Sequence, residues 1–290
     1  MTNEVDTSAL RPEDGDDEDA RALGDPVDDP LTDDALTGGF RVWQRKRGHR
    51  YSIDDVLTAQ RACLARPDAQ RYVDIGCGLG SVLLMVAYKL PRARAVGVEA
   101  QAVSHALACR NVLRNGQGER ISVLRGDLRD LRDGAPRALV LSSFAGGREG
   151  AELVSGTPPY MPVGTSTPSP DSQRRYARVE LRGGVEDYLA TMGALLAPGG
   201  RAVVCCDART PERALAGAVA AGLTPLERLD AIPREGASAL FSVWTLARRA
   251  DVPDRPHVHD RFVARDAHGQ RTPAYRALRS FFDLDPRPPT

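Results

Sequence analysis

From Asp54 onward apolar residues recur at Val56, Leu57, Ala59, Ala62 and Leu64, a spacing that gathers them on one face of a helix. Tyr72 to Ile75 is short and apolar and reads as a buried strand. The glycine-rich turn Asp74-Ile75-Gly76-Cys77-Gly78-Leu79-Gly80 follows, and Ser81 to Leu90 reads as a helix entered from it. Ala95 to Val98 predicts a second strand, Gln101 to Leu113 a second helix closed by Asn115-Gly116, and Ile121 to Leu124 a third strand. Strand and helix alternating at this spacing predict an α/β fold, a Rossmann-like doubly wound sheet.

The next stretch offers two candidates for the fourth strand, Ala138 to Leu141 and Leu153 to Ser155. The second is preferred because it delivers Thr157-Pro158-Pro159-Tyr160 at the carboxyl end of a strand, where open α/β sheets bind ligands. Phe144 to Gly150 then reads as an insertion, and 161 to 175 as a loop rich in proline, serine and threonine. Val185 to Leu196 predicts a helix stopped by Pro198-Gly199-Gly200, followed by a strand from Ala202 to Cys205 and a helix over 211 to 220. Segments near Leu223 to Leu229 and Leu240 to Leu246 suit an antiparallel edge.

With 290 residues, 42% of them apolar, the chain suits one large domain with extensions. No run is long and apolar enough to span a bilayer, the acidic start does not resemble a signal sequence, and the expected location is cytoplasmic. The five cysteines form no C-x-x-C pair and read as buried thiols. His257-Val258-His259-Asp260 lacks a second ligand cluster, so no metal site is expected. The zero formal charge conceals an asymmetry: residues 1 to 38 carry 13 acids against two arginines, net −11, which leaves +11 on the rest. The expected organisation is an acidic disordered arm over 1–38, a Rossmann-like core over 39–250 and a C-terminal extension over 251–290. A basic core suits a polyanion. Arg41, Lys46 and Arg47 near the amino end, and Arg174, Arg175 and Arg178 after the proline-rich loop, are interleaved with Trp43, Tyr51 and Tyr176, which suits phosphate contacts with base stacking in RNA.

The glycines at 76, 78 and 80 spell G-x-G-x-G, which lets a ligand lie against the backbone between strand and helix. Glu99 closes the next strand, placed for two ribose hydroxyls, and Asp127 closes the third, placed for an adenine amino group. A lone acid at Asp127 also serves as a helix cap. Three strand ends in register point to S-adenosylmethionine. An exocyclic amine is a poor nucleophile while its lone pair is delocalised, and the Pro-Pro backbone leaves unpaired carbonyls to hydrogen-bond it out of conjugation. Tyr160 offers a flat face for the acceptor ring.

Gln44, Arg47 to Ser52, Asp54 to Leu57, the glycine turn, Glu99, Asp127, the Pro-Pro-Tyr turn and Ala177 to Glu180 resemble the class I methyltransferases that make N6-methyladenosine at position 37 of a valine tRNA. The resemblance runs from about Phe40 to Arg248. It implies a seven-stranded Rossmann-like domain, S-adenosylmethionine as donor and a flipped adenine as acceptor. By position, Asp74, Gly76, Gly78, Gly80, Glu99 and Asp127 match cofactor-binding residues, and Thr157, Pro158, Pro159 and Tyr160 match the acceptor turn. The family pattern usually has Asn where this chain has Thr157, whose hydroxyl is a shorter acceptor. The expected activity is methylation of an adenine N6 in RNA, with tRNA as partner and no strong general base. The alternatives are methylation of a protein glutamine amide and a catalytically silent binding domain.

Overall fold

The computed structural model describes residues 29–144, 149–165, 169–253 and 256–284. A two-stranded ribbon, β1 (Leu31–Ala35) and β2 (Arg41–Arg45), leads into helix α1 (Ile53–Ala65). There follow β3 (Arg71–Ile75), α2 (Ser81–Lys89), β4 (Arg94–Glu99), α3 (Ala102–Arg114) and β5 (Ile121–Arg125). A 3₁₀ turn (Leu128–Arg132) and α4 (Gly134–Ser142) precede β6 (Ala151–Gly156), α5 (Ser172–Arg178), α6 (Val185–Leu195) and β7 (Leu196–Asp207). The chain continues through α7 (Pro211–Ala220), β8 (Leu223–Ile232), β9 (Phe241–Arg248), β10 (Val258–Val263) and α8 (Pro273–Phe281).

The main sheet runs β10-β8-β9-β7-β6-β3-β4-β5. It is parallel from β7 to β5, and β9 is antiparallel to both β7 and β8. Eight strands replace the expected seven. The extra strand is β10, which pairs in parallel with β8 from Val258↔Glu227 to Val263↔Ile232. Its only fully hidden side chain is Phe262, so its apolar alternation is too weak to read as a strand. The C-terminal segment is thereby tied to the core: Leu278 and Phe282 are buried with the residues of α1 and α2.

Helices cover both faces, so strand residues alternate between two apolar layers rather than between core and water. Tyr72 joins the layer under α1, α2 and α8 while Val73 and Ile75 join the layer under α4, α6 and α7. Val203 and Cys205 against Val204 and Cys206 repeat the pattern on β7. Leu153 to Ser155 lies in β6, as expected, and residues 138 to 141 lie in helix α4. Residues 145–148 of the expected insertion fall outside the described residues. The five cysteines are free, and only Cys109 is partly exposed.

The acidic arm does not extend to residue 38. Leu31 to Ala35 pairs with Arg41 to Arg45, and Leu36 is fully buried. Asp29 pairs with Arg45 at 2.9 Å, Asp33 with Arg41 and Arg114 at 2.8 and 2.7 Å, and Asp34 with Arg50 at 3.0 Å. These acids are ordered because basic side chains of the folded body neutralise them; residues 1–28 lie outside the described residues. Among the described residues no helix is long and apolar enough to cross a membrane.

Candidate active site at the carboxyl ends of the central strands

β3 and β6 lie side by side with Ile75 opposite Gly156, and β4 and β5 continue the sheet beyond β3. The strand order reverses between β3 and β6, which opens a crevice above their carboxyl ends. The glycine turn leaves β3 on one side of it and the Thr157 turn leaves β6 on the other.

Gly76, Gly78 and Gly80 all have positive φ, 62°, 57° and 88°. Their surroundings separate their roles. A Cβ on Gly76 would collide with the Tyr188 hydroxyl, whereas one on Gly78 would meet nothing within 4 Å and enter the cleft. Gly80 caps the start of α2, where an added Cβ would meet Ala108 of α3 at an ordinary 3.6 Å, and it does not line the cleft. The cleft lies between Gly76 to Leu79, Glu99 to Gln101, Gly126 to Leu128 and the segment Arg182-Gly183.

Glu99 is 6% exposed, and its carboxylate accepts from the backbone N–H of Gly78 at 2.9 Å and of Gln101 at 2.7 Å. Burial pushes its carboxyl up, and these two bonds oppose the shift. Each oxygen keeps a lone pair for a vicinal diol. Asp127 caps the 3₁₀ turn, accepting from Arg129 N at 2.9 Å, Nε at 2.9 Å and an η nitrogen at 2.7 Å. Burial raises this carboxyl, but the Arg129 bonds outweigh it and hold it below the usual range. The cap and the cleft position are therefore both real, and Arg129 must share Asp127 with any ligand amine. The open face over Gly78 and the buried Glu99 fit the backbone-hugging chain and the ribose of S-adenosylmethionine.

Asp74 is placed differently from the sequence expectation. It is 1% exposed beneath the turn and does not line the cleft; Oδ1 accepts from the Ser155 hydroxyl at 2.5 Å, and that hydroxyl also meets the Tyr72 hydroxyl at 2.6 Å. Burial pushes its carboxyl up to about 7. Asp74 thus ties β3 to β6 from below and supports the site rather than contacting the ligand space.

A second cleft opens on the far side of the Thr157 turn, lined by Thr157 to Met161, Lys46 to Arg50, Ser52, Asp54, Arg174 and Arg178. The two clefts share His49, Asp55, Thr157, Pro159 and Ala177. Gly156 keeps the turn close to the glycine loop, since a Cβ there would come within 2.6 Å of the Tyr188 ring and 3.0 Å of the Ile75 carbonyl. Helix α5 is drawn to the turn by backbone bonds from Met161 to the Arg178 carbonyl, 3.0 Å, and from Glu180 to the Met161 carbonyl, 2.9 Å. Gln173 on α5 accepts from the His49 backbone N–H at 3.2 Å and donates to Ser104 at 3.2 Å, pinning the β2 loop to α5 and α3. Tyr160 is firmly held: its hydroxyl donates to Asp54 at 3.0 Å and lies 2.8 Å from the Cys205 sulfur, and its ring is parallel to Phe241 at 6.4 Å.

Lys46, Arg47, Arg174 and Arg178 converge on this second cleft, although they come from segments more than 120 residues apart. Arg41 does not join them, because it is paired with Asp33 in the ribbon, and Arg175 lies over the Tyr176 ring at 5.7 Å away from the lining. Three participants were not singled out as site residues from the sequence. Tyr188 on α6 wedges between Gly76 and Gly156, Asp55 is buried where the clefts meet, and His49 lines both. The Arg47 to Ser52 run lies beside the basic cluster, which was the available signal for His49.

No family model matches the chain. A tRNA1(Val) (adenine(37)-N6)-methyltransferase of Porphyromonas gingivalis is 28% identical over 212 residues, covering 72% of this chain and 78% of that one. A solved structure from Agrobacterium tumefaciens described as a predicted O-methyltransferase superposes with a TM-score of 0.56 at 20% identity, covering 81% of this chain and 99% of that one. This is the fold of the class I methyltransferases. The chain is homologous to curated proteins carrying the name of the family its motifs resemble. A release factor glutamine methyltransferase of Geobacter sulfurreducens is 30% identical over 132 residues, covering 45% of this chain and 41% of that one.

Proposed function

We propose that this chain transfers a methyl group from S-adenosylmethionine to the N6 amine of an adenine in RNA, with tRNA as the substrate. The observation that carries the reading is the meeting of the two clefts at Thr157 and Pro159, one suited to the cofactor and the other rimmed by five cationic side chains, Lys46, Arg47, Arg50, Arg174 and Arg178. The name and the 72% coverage of the curated relative support the same substrate.

Gly76 and Gly78 admit the cofactor's backbone-hugging part, Glu99 accepts its ribose hydroxyls, and Asp127 faces its adenine. When bound, the cofactor supplies an electrophilic methyl on a sulfonium. Lys46, Arg47, Arg174 and Arg178 hold the RNA backbone, and their charge makes binding weaken steeply with salt. The Pro158 carbonyl and the Thr157 hydroxyl accept the two amine hydrogens, which turns the nitrogen lone pair out of the ring. Tyr160, locked by Asp54 and Cys205, offers its ring to the flipped base. Positioning supplies most of the acceleration.

Tritium transfer from labelled S-adenosylmethionine into tRNA, followed by nucleoside analysis, tests the reading. N6-methyladenosine is the expected product. Thr157→Asn should keep or raise turnover, and Thr157→Val, which keeps the shape but loses the acceptor, should slow it. A second acceptor, a protein glutamine amide, is favoured by the likeness to the release factor enzyme. Label entering a protein and no tRNA would establish that reading, and label entering neither until Thr157→Asn is made would mark the natural protein as a silenced binder.

A further inference from the structure

The Pro-Pro-Tyr turn runs directly into an exposed apolar tip. Among the described residues nine large apolar side chains are exposed. Three of them, Met161 at 40%, Val163 at 65% and Leu181 at 39%, lie on the two segments joined by the bridge between Met161 and Val179. Single apolar residues are common on any surface, whereas a group of them beside a binding cleft marks a contact. Met161 lines the second cleft together with Tyr160. Its backbone is fixed on both sides, the N–H donating to the Arg178 carbonyl at 3.0 Å and the carbonyl accepting from the Glu180 N–H at 2.9 Å. Val163 is presented by a tight turn. Thr165 donates to the Pro162 carbonyl from its backbone N–H at 3.2 Å and from its hydroxyl at 2.7 Å, and Gly164 supplies the φ of 84° that a type II turn needs at its third position. Both side chains are thus held outward by bonded backbone.

We propose that Met161 and Val163 form a wedge that fills the place vacated by the flipped adenine and packs on the base next to it in the RNA. The inference rests on the adenine N6 reading above. Taking a base out of its stack leaves a gap and bares the apolar faces of its neighbours. Apolar side chains inserted between base steps cover such faces. Met161 and Val163 stand one and three residues beyond Tyr160, so their Cα atoms lie about 3.8 Å and at most about 11 Å from its own. That reach equals one to three base steps of about 3.4 Å. Lys46, Arg47, Arg50, Arg174 and Arg178 line the same cleft, and this charge suits a nucleic acid strand better than an apolar protein loop. Tyr160 stabilises the base that leaves the stack, and the wedge stabilises the strand it has left. Neither wedge residue is charged, so the contact positions the strand without adding to the phosphate contacts.

A stem-loop RNA cut from the tRNA that the parent methylates, with 2-aminopurine at the target position, tests the assignment, because its fluorescence rises on unstacking. The parent should raise the fluorescence on binding, and the double variant Met161→Ala, Val163→Ala should raise it much less. Single-turnover methylation of the unmodified stem-loop by the double variant should be slower by about 10-fold, the scale of one apolar side chain's burial. Met161→Leu should keep the parent's rate. Where both bases flanking the target are replaced by abasic residues the wedge has nothing to pack on, so parent and double variant should methylate equally fast. The salt slope of RNA binding and the calorimetric affinity for S-adenosylhomocysteine should match the parent's, since no cation and no cofactor contact is removed. Parent-like fluorescence and rate in the double variant, a rate loss that persists on the abasic substrate, or a matching loss of S-adenosylhomocysteine binding would each overturn the proposal. A parent that labels a protein and no RNA instead defeats the adenine reading, and this inference with it, and gives the apolar tip to a protein loop.

Discussion

Replacing Asp74 with Asn should change how stability depends on pH more than it changes stability itself. The Asp74 carboxyl is 1% exposed, and burial lifts it from 3.8 to about 7, against the opposing bond from Ser155. In the unfolded chain it ionises near its ordinary value. Between these two values the folded state holds a proton that the unfolded state has lost, so rising pH costs stability with a slope of about 1.4 kcal/mol per unit. The contribution is fully present below the unfolded pKa and is gone above about pH 7. From pH 5 to pH 7 the parent should lose roughly 2 kcal/mol that Asp74→Asn does not lose. Asn keeps an oxygen for the Ser155 hydroxyl, so the chain of bonds to Tyr72 survives. The raised carboxyl of Asp55, to which the charge of Asp74 contributes, adds a slope of its own in both proteins. Urea denaturation of both proteins at half-unit pH steps reads this difference directly. Parallel stability profiles, or a parent that gains on Asp74→Asn as pH rises, would refute the claim that Asp74 is buried in its neutral form.

Gly78→Asp should abolish calorimetric binding of S-adenosylhomocysteine, because the new side chain enters the cleft at φ +57° and carries a charge towards Glu99; undiminished binding would move the cofactor elsewhere. Gly76→Ala should destabilise the fold by more than the ~1 to 2 kcal/mol of left-handed backbone strain, since its Cβ also collides with Tyr188, and a loss below that in chemical denaturation would show that Tyr188 yields freely. Deleting residues 1–28, which carry ten acids and two arginines, should leave RNA affinity unchanged or tighter in a filter-binding assay, whereas deletion through residue 38 also removes buried Leu36 and the partners of Arg41, Arg45 and Arg50, with a stability loss of several kcal/mol. Equal stability of the two deletions would contradict the ordered ribbon. Tyr160→Ala should remove stacking worth roughly 1 to 3 kcal/mol per base, while Tyr160→Phe should keep most RNA affinity and lose rate through the freed ring; equal rates for Tyr160→Phe and the parent would relieve Asp54 of its positioning part.

The sequence alone determined the alternation of strands and helices from Ile53 to Arg125 and from Val185 to Ile232, the placing of glycine turn, Glu99, Asp127 and Thr157 at successive strand ends, and the choice of Leu153 over Leu139 for β6, but not the helices α4 and α5 between them. These are local signals. Turn glycines need positive φ at their own position, and strands covered on both faces are apolar throughout whatever their neighbours are. What only the tertiary structure decided depends on groups distant in sequence. β10 is a strand because β8 offers it an open edge, and its own residues are too polar to announce it. The acids at 29, 33 and 34 read as a solvated arm until Arg41, Arg45, Arg50 and Arg114 come within ion-pair distance. Asp74 and Asp127 share the same strand-end grammar, yet the first is capped over by the sheet and the second faces the cleft, because burial is a property of the packed neighbours. His49 acquires its position between two clefts only when Gln173, more than 120 residues away, fixes its backbone beside Thr157.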